Sequence, residues 1–214
     1  MNFKEASCSN FRQGRSGEIK YIVIHYTGND GDTAKNNVDY YARESLKTSA
    51  HYFVDENEIW QSVKDEDTAY HCGAKVYIHK ECRNSNSIGI ELCSRQYRDG
   101  NYYFKEETLK RGAELTKQLM RKYNIPAENV IRHYDVTGKI CPAPMVNKET
   151  LWKQFKESIE GKIETGNDID YALKWKYGIT FESDANEKSF IRELEELRAK
   201  DSKAYWVLYK LANN

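Results

Sequence analysis

The run Tyr21-Ile22-Val23-Ile24-His25-Tyr26-Thr27 constrains this chain more than any other stretch. Successive side chains of an extended strand point to opposite faces. Here both sets are apolar or aromatic, with Tyr21 and Val23 on one face and Ile22, Ile24 and Tyr26 on the other. A strand without a polar face must be covered on both sides, as in the centre of a sheet with helices above and below. We therefore expect an α/β fold, a central mixed β-sheet flanked by helices. His25 closes the apolar run and so stands at the sheet's rim.

The remaining elements follow from periodicity. Residues 1–18 read as an irregular lead-in with Gly14 and Gly17 as breakers. After the turn-rich Gly28-Asn29-Asp30-Gly31, a helix capped near Asp32 or Thr33 carries Val38, Tyr41, Ala42, Ser45 and Leu46 at helical spacing. His51 to Val54 and Ile59 to Val63 suit a hairpin across Asp55-Glu56-Asn57-Glu58. Residues 64–85 are mostly loop, and a loop of that length in a compact domain is usually functional. Ser87 to Cys93 is a second apolar strand. Glu106 to Tyr123 is the clearest helix, with Leu109, Ala113, Thr116, Met120 and Tyr123 on one stripe and Asn124 at its end. Val130 to His133 is a short strand, and Lys148 to Ile159 a helix.

A Gly- and Asn-containing segment, Gly161 to Asp168, reads as a linker. Helical periodicity beyond it suggests a small C-terminal helical domain. We place the domains at 1–163 and 164–214, the second docking on the first, on a partner or on a second copy as a homo-oligomer through its helices. The 214 residues accommodate that division.

Lys plus Arg and Asp plus Glu both number 33, so no whole-molecule field attracts nucleic acid. No stretch approaches the ~20 apolar residues a membrane helix requires, and the start has no apolar leader region. The expectation is synthesis in the cytoplasm without a signal peptide and no membrane insertion. The five cysteines form an odd set without small-domain disulfide spacing, which fits a reducing compartment, although Cys72 and Cys82 could pair in an oxidising one.

The chemistry concentrates in Ile131-Arg132-His133-Tyr134-Asp135-Val136-Thr137-Gly138-Lys139-Ile140-Cys141-Pro142. His133 and Cys141 lie across a Gly-containing turn that can bring an imidazole and a thiolate onto one ion. Zinc accepts this mixture, and hydrolytic zinc sites use three protein ligands with a fourth position open. His25 is the best third donor. Taken singly, a histidine ending an apolar strand is more often a packed core residue, and Cys141 an inert buried thiol. Glu91, between Ile90 and Leu92, either points to solvent from a one-sided strand or is a buried carboxylate in want of a cation or a role.

Five stretches occur in one order: Val23-Ile24-His25-Tyr26-Thr27, Ser49-Ala50-His51-Tyr52-Phe53-Val54, Ala69-Tyr70-His71-Cys72-Gly73, Asn86-Ser87-Ile88-Gly89-Ile90-Glu91-Leu92, and Arg132-His133 through Lys139-Ile140-Cys141-Pro142. That series, over about residues 18 to 160, resembles the zinc-dependent N-acetylmuramoyl-L-alanine amidases of the peptidoglycan recognition protein and phage-lysozyme superfamily. The resemblance implies a Zn2+ cofactor on His25, His133 and Cys141. It implies Glu91 as general base, Lys139 as the oxyanion-stabilising cation, and His71, with Asn86 as a weaker candidate, in the substrate groove. Some members use a Tyr just before the residue matching His51; here that position is Ala50, which puts more weight on Glu91. The implied reaction cuts the bond between N-acetylmuramic acid and L-alanine in peptidoglycan, in the manner of a phage or prophage endolysin acting on the wall after release. Three readings compete with it. They are a non-catalytic peptidoglycan receptor on the same fold, a cytosolic muropeptide-recycling amidase, and a thiol hydrolase with Cys141 as nucleophile and His133 as base.

Overall fold

The computed structural model describes residues 1–160, so the expected 163/164 boundary and the helical appendage lie outside the described residues. Among the described residues ten strands are formed: β1 Asn2–Phe3, β2 Phe11–Arg12, β3 Tyr21–Tyr26, β4 Tyr52–Val54, β5 Ile59–Gln61, β6 Thr68–Ala69, β7 Ser87–Leu92, β8 Arg95–Gln96, β9 Tyr102–Tyr103 and β10 Val130–Arg132. Five α-helices accompany them: α1 Ala34–Arg43, α2 Glu106–Tyr123, α3 His133–Thr137, α4 Ala143–Asn147 and α5 Glu149–Glu160. The main sheet has six strands in the order β1-β5-β4-β7-β3-β10. It is mixed, because β4 and β5 form the antiparallel hairpin while β3 runs parallel to both β7 and β10.

The two faces of the sheet do different work. Ile22, Ile24, Ile88, Ile90 and Leu92 are fully buried on one face, packed with Ala113, Leu115 and Leu119 of α2 and Trp152, Phe155 and Ile159 of α5. Burying each such side chain contributes about 1.5–3 kcal/mol. At Gly112 a Cβ atom would lie 2.6 Å from Leu92 Cδ2, so the missing side chain lets α2 close onto β7. On the other face Tyr21 and Val23 meet Cys72, Cys82 and Val136, and Phe53 meets Ala34 and Val38 of α1. This is the double cover that the apolar β3 demanded. No helix among the described residues is long and apolar enough to cross a membrane.

The lead-in is more ordered than its composition suggests. β1 pairs parallel to β5, and β2 antiparallel to β6. Asn10, wholly buried, serves the C-terminal end of α1. Its Nδ2 donates to the carbonyls of Tyr41 and Glu44, and its Oδ1 accepts from the N–H groups of Leu46 and Lys47. A helix end leaves carbonyls without partners, and here a distant side chain supplies them. This explains why α1 stops at Arg43 although helical spacing continues to Leu46. At its other end the expected cap falls at Thr33, which pairs reciprocally with Asn36. Arg15 donates to the carbonyls of Asp65, Asn84 and Ser87, tying the lead-in to both ends of the 64–86 loop.

Replacing Asn10 by Ala should cost about 2 kcal/mol or more in urea unfolding, because buried carbonyl and N–H groups lose their partner together. Asp39→Asn, which removes only exposed pairing with Lys4 and Lys35, should leave the midpoint nearly unchanged.

Candidate metal centre

Three separate stretches converge at the end of the sheet formed by β3, β7 and β10. His25 is the penultimate residue of β3 and is almost completely buried. β10 lies beside β3 with Arg132 opposite Ile24, so the chain leaves the sheet at His133, next to the level of His25. His133 opens α3, which ends at Gly138 in the left-handed region at φ 80°, and the chain then doubles back. The turn closes with the Tyr134 N–H donating to the Cys141 carbonyl at 2.8 Å. Arg132 anchors it from below, pairing with Asp135 and with Glu149 of α5.

Among the described residues one group could hold a metal ion: His25, His133 and Cys141, all buried, with one donor atom from each within 4.8 Å of the others. Nδ1 of His25 lies 3.7 Å from Sγ of Cys141. A tetrahedral zinc with Zn–N near 2.05 Å and Zn–S near 2.3 Å has an N···S edge of roughly 3.6 Å. Nδ1 of His133 is buried without a hydrogen-bond partner, an orphan that a cation would satisfy. The donor set and its spacing thus fit a metal.

Glu91 faces the same site. The parallel register places it opposite His25, and paired residues on parallel strands share a face. Its Oε2 is buried and has no hydrogen-bond partner, and the side chain is half-buried rather than turned out to solvent. Burial pushes its carboxyl up to about 8, with the Lys139 ammonium pulling the other way. Burial and the neighbouring His133 hold His25 well below 6.5, and burial with Lys139 brings His133 down to about 4. Burial raises the Cys141 thiol to about 12. At neutral pH both imidazoles are therefore neutral, as ligands must be, and the two acids keep their protons until a cation arrives.

Beside the centre opens a groove of about 770 Å³ whose lining includes Lys47, Tyr70, His71, His133, Thr137 and Lys139. Lys139 stands exposed at its edge. His71 lines the groove but is itself buried, and its ring nitrogens have other occupations: Nδ1 lies 3.0 Å from His25 Nε2, and Nε2 3.1 Å from Ser87 Oγ. The resemblance implied His71 for substrate; it does line the groove, with its ring nitrogens facing His25 and Ser87. Asn86 departs from that reading. Its Oδ1 accepts from the Arg83 N–H and its Nδ2 donates to the Glu81 carbonyl, so its amide staples a turn away from the groove lining. Ser87 was missed as a member of the site. Its only sequence signal is a polar residue two and four positions before Gly89 and Glu91, on the same strand face.

The model of the N-acetylmuramoyl-L-alanine amidase family Amidase_2 matches residues 15–144, a span that contains every member of the centre. The chain belongs to this amidase family. The N-acetylmuramoyl-L-alanine amidase CwlL of Bacillus licheniformis is 36% identical over 151 residues, covering 66% of this chain and 41% of that relative. The structure of PlyL superposes with a TM-score of 0.63 at 28% identity, covering 74% of this chain and 96% of PlyL. A further amidase, AmiD from Escherichia coli, solved in complex with the substrate anhydro-N-acetylmuramic acid-L-Ala-D-gamma-Glu-L-Lys, matches at 28% identity and a TM-score of 0.51, over 76% of this chain and 66% of that one. The chain spans less than half the length of the curated relatives CwlL and BlyA.

The state of Glu91 can be read from stability. A carboxyl raised from the ordinary 4.5 to about 8 contributes stability that is full below 4.5 and lost as pH rises through 8. Glu91→Gln stays neutral throughout. In metal-free protein held under chelator, the melting temperature of Glu91→Gln minus that of wild type should grow from pH 5 to pH 8; a constant difference would place the Glu91 carboxylate in water.

Proposed function

We propose that this chain hydrolyses the amide bond between N-acetylmuramic acid and L-alanine in peptidoglycan, using a zinc ion held by His25, His133 and Cys141. The observation that carries the reading is the convergence of these three donors, from distant stretches, beside a buried carboxylate with an unpartnered oxygen. Two neutral imidazoles and one thiolate would leave a zinc ion net positive charge, and bound there it supplies Lewis acidity that polarises a carbonyl and acidifies water.

The residues of the chain then divide the remaining work. Glu91 accepts the proton of the attacking water at its carboxylate and returns it to the departing amine nitrogen, since an amine anion is a poor leaving group. Water oxygen bonds to the lactyl carbonyl carbon, the C–N bond breaks, and the stem peptide leaves with a free L-alanine amino group. Lys139, at the groove's edge, brings positive charge toward the oxygen on which negative charge develops. A thiol nucleophile is disfavoured, because burial drives the Cys141 thiol up to about 12 and away from the thiolate such chemistry needs. A receptor without catalysis is disfavoured because the full donor set, including the cysteine, is present.

Digestion of purified peptidoglycan with mass analysis tests the reaction. Wild type should release intact stem peptides that begin with a free L-alanine amine, chelation should stop release and added zinc restore it, and His133→Ala should release none. Cuts within the glycan would rule the scheme out.

The two auxiliary roles separate kinetically. Glu91→Gln should lower kcat by about 10²–10⁴-fold while zinc content stays stoichiometric. Lys139→Met should lower it by about 10²–10³-fold. Full activity in either variant would remove that residue from the mechanism.

A further inference from the structure

Each neutral imidazole carries one ring proton, and that rule fixes more here than the metal ligands alone. His25 directs Nδ1 toward Cys141 and Nε2 toward Nδ1 of His71, 3.0 Å away. His71 in turn directs Nε2 toward Ser87 Oγ at 3.1 Å, and the Ser87 hydroxyl lies 2.7 Å from the carbonyl oxygen of Arg83. His25, His71 and Ser87 are all buried, so water does not substitute for a missing partner.

The last member decides the direction of the whole series. A carbonyl oxygen only accepts, so Ser87 must donate its hydrogen to Arg83 and offer its lone pair to His71. His71 therefore carries its proton on Nε2 and presents a bare Nδ1 to His25. His25 then carries its proton on Nε2, which leaves the Nδ1 lone pair aimed at the space shared with Cys141. The opposite direction would leave a hydroxyl oxygen facing a carbonyl oxygen at 2.7 Å with no hydrogen between them.

The surroundings hold this arrangement in place. The main-chain N–H groups of His71 and Cys72 both donate to Asn84 Oδ1, at 3.1 and 2.8 Å. The His71 ring lies directly on the backbone of β7 at Gly89, where a Cβ atom would stand 2.6 Å from Cγ of the imidazole. Only glycine at that position leaves room for the ring.

We propose that His71 and Ser87 are positioning residues for the metal centre, acting through a directed hydrogen-bond chain from His25 to the Arg83 carbonyl that selects the ligating tautomer of His25 and fixes its ring. The proposal rests on the metal-binding reading above. Partners of this kind, one shell outside a metal, typically change affinity by about 10- to 100-fold when removed.

The test measures the zinc dissociation constant of metal-free protein by competition with a chromophoric chelator at pH 7, after circular dichroism has established cooperative unfolding of each variant. His71→Leu keeps bulk but offers no acceptor, and should weaken binding about 10- to 100-fold. His71→Asn restores an acceptor oxygen near the position of Nδ1 and should recover most of that loss, which a role in packing alone would not produce. Ser87→Ala should weaken binding several-fold in the same direction, and it carries the test by itself should His71→Leu not fold. Wild-type affinity in folded His71→Leu or in Ser87→Ala, or no recovery in His71→Asn, overturns the proposal. Wild type that binds no zinc at all overturns the metal reading and this proposal with it, so the two failures are told apart by the wild-type titration.

Discussion

The parallel pairing of β3 with β7 is the constraint on which the rest depends. It sets His25 opposite Glu91 and, one strand further, Phe53 opposite Glu91 from the other side. Side chains on a strand alternate with a period of two, so a slip of one residue would carry Glu91 into the apolar layer beneath α2 and lift Ile90 into the groove. Five aliphatic side chains buried to completion on the far face make that slip too costly to occur. The register of the active face is thus enforced by packing on the opposite one. β10 extends the same logic, since its pairing with β3 delivers His133 beside His25.

Within that frame the centre is assembled from groups that are each ill at ease by themselves. Burial suppresses the protonation of two imidazoles and the ionisation of a thiol and a carboxyl. An uncharged cluster of this composition makes few bonds of its own, as the unpartnered Nδ1 of His133 and Oε2 of Glu91 attest. A divalent cation would favour the same neutral imidazoles and reverse the preference of the thiol and the carboxyl. The protein keeps the pieces apart from water and from better partners, a setting that the proposed ion would resolve.

Much of this was legible in the chain because it is written in short-range periodicity. The two-sided apolar pattern of β3 announced a covered central strand and α2 ran from Glu106 to Tyr123 as its stripe indicated, whereas the grouping of His25 with His133 and Cys141 came from residue types together with the family resemblance. What was not legible depends on contacts between residues far apart in sequence. Asn10 ends α1 from more than thirty positions away, and nothing local distinguishes it from any other polar lead-in residue. α3 and α4, each five residues long, are too short to show a helical period. The resemblance implied a substrate-groove role for His71; that its two nitrogens face His25 and Ser87 emerges only once three separated segments are brought together.

Strand β7 condenses the molecule's plan into six residues. Ile88, Ile90 and Leu92 look toward α2 and α5, while Ser87, Gly89 and Glu91 look toward the candidate metal centre. The first set is interchangeable in kind: aliphatic side chains of similar volume can trade places there with modest repacking. Under the proposed roles the second set is not, because one supplies a hydroxyl, one leaves room for the His71 ring, and one ionises. A single strand therefore carries two rates of permissible change, and a lineage can adjust how firmly the domain holds together without touching what it does.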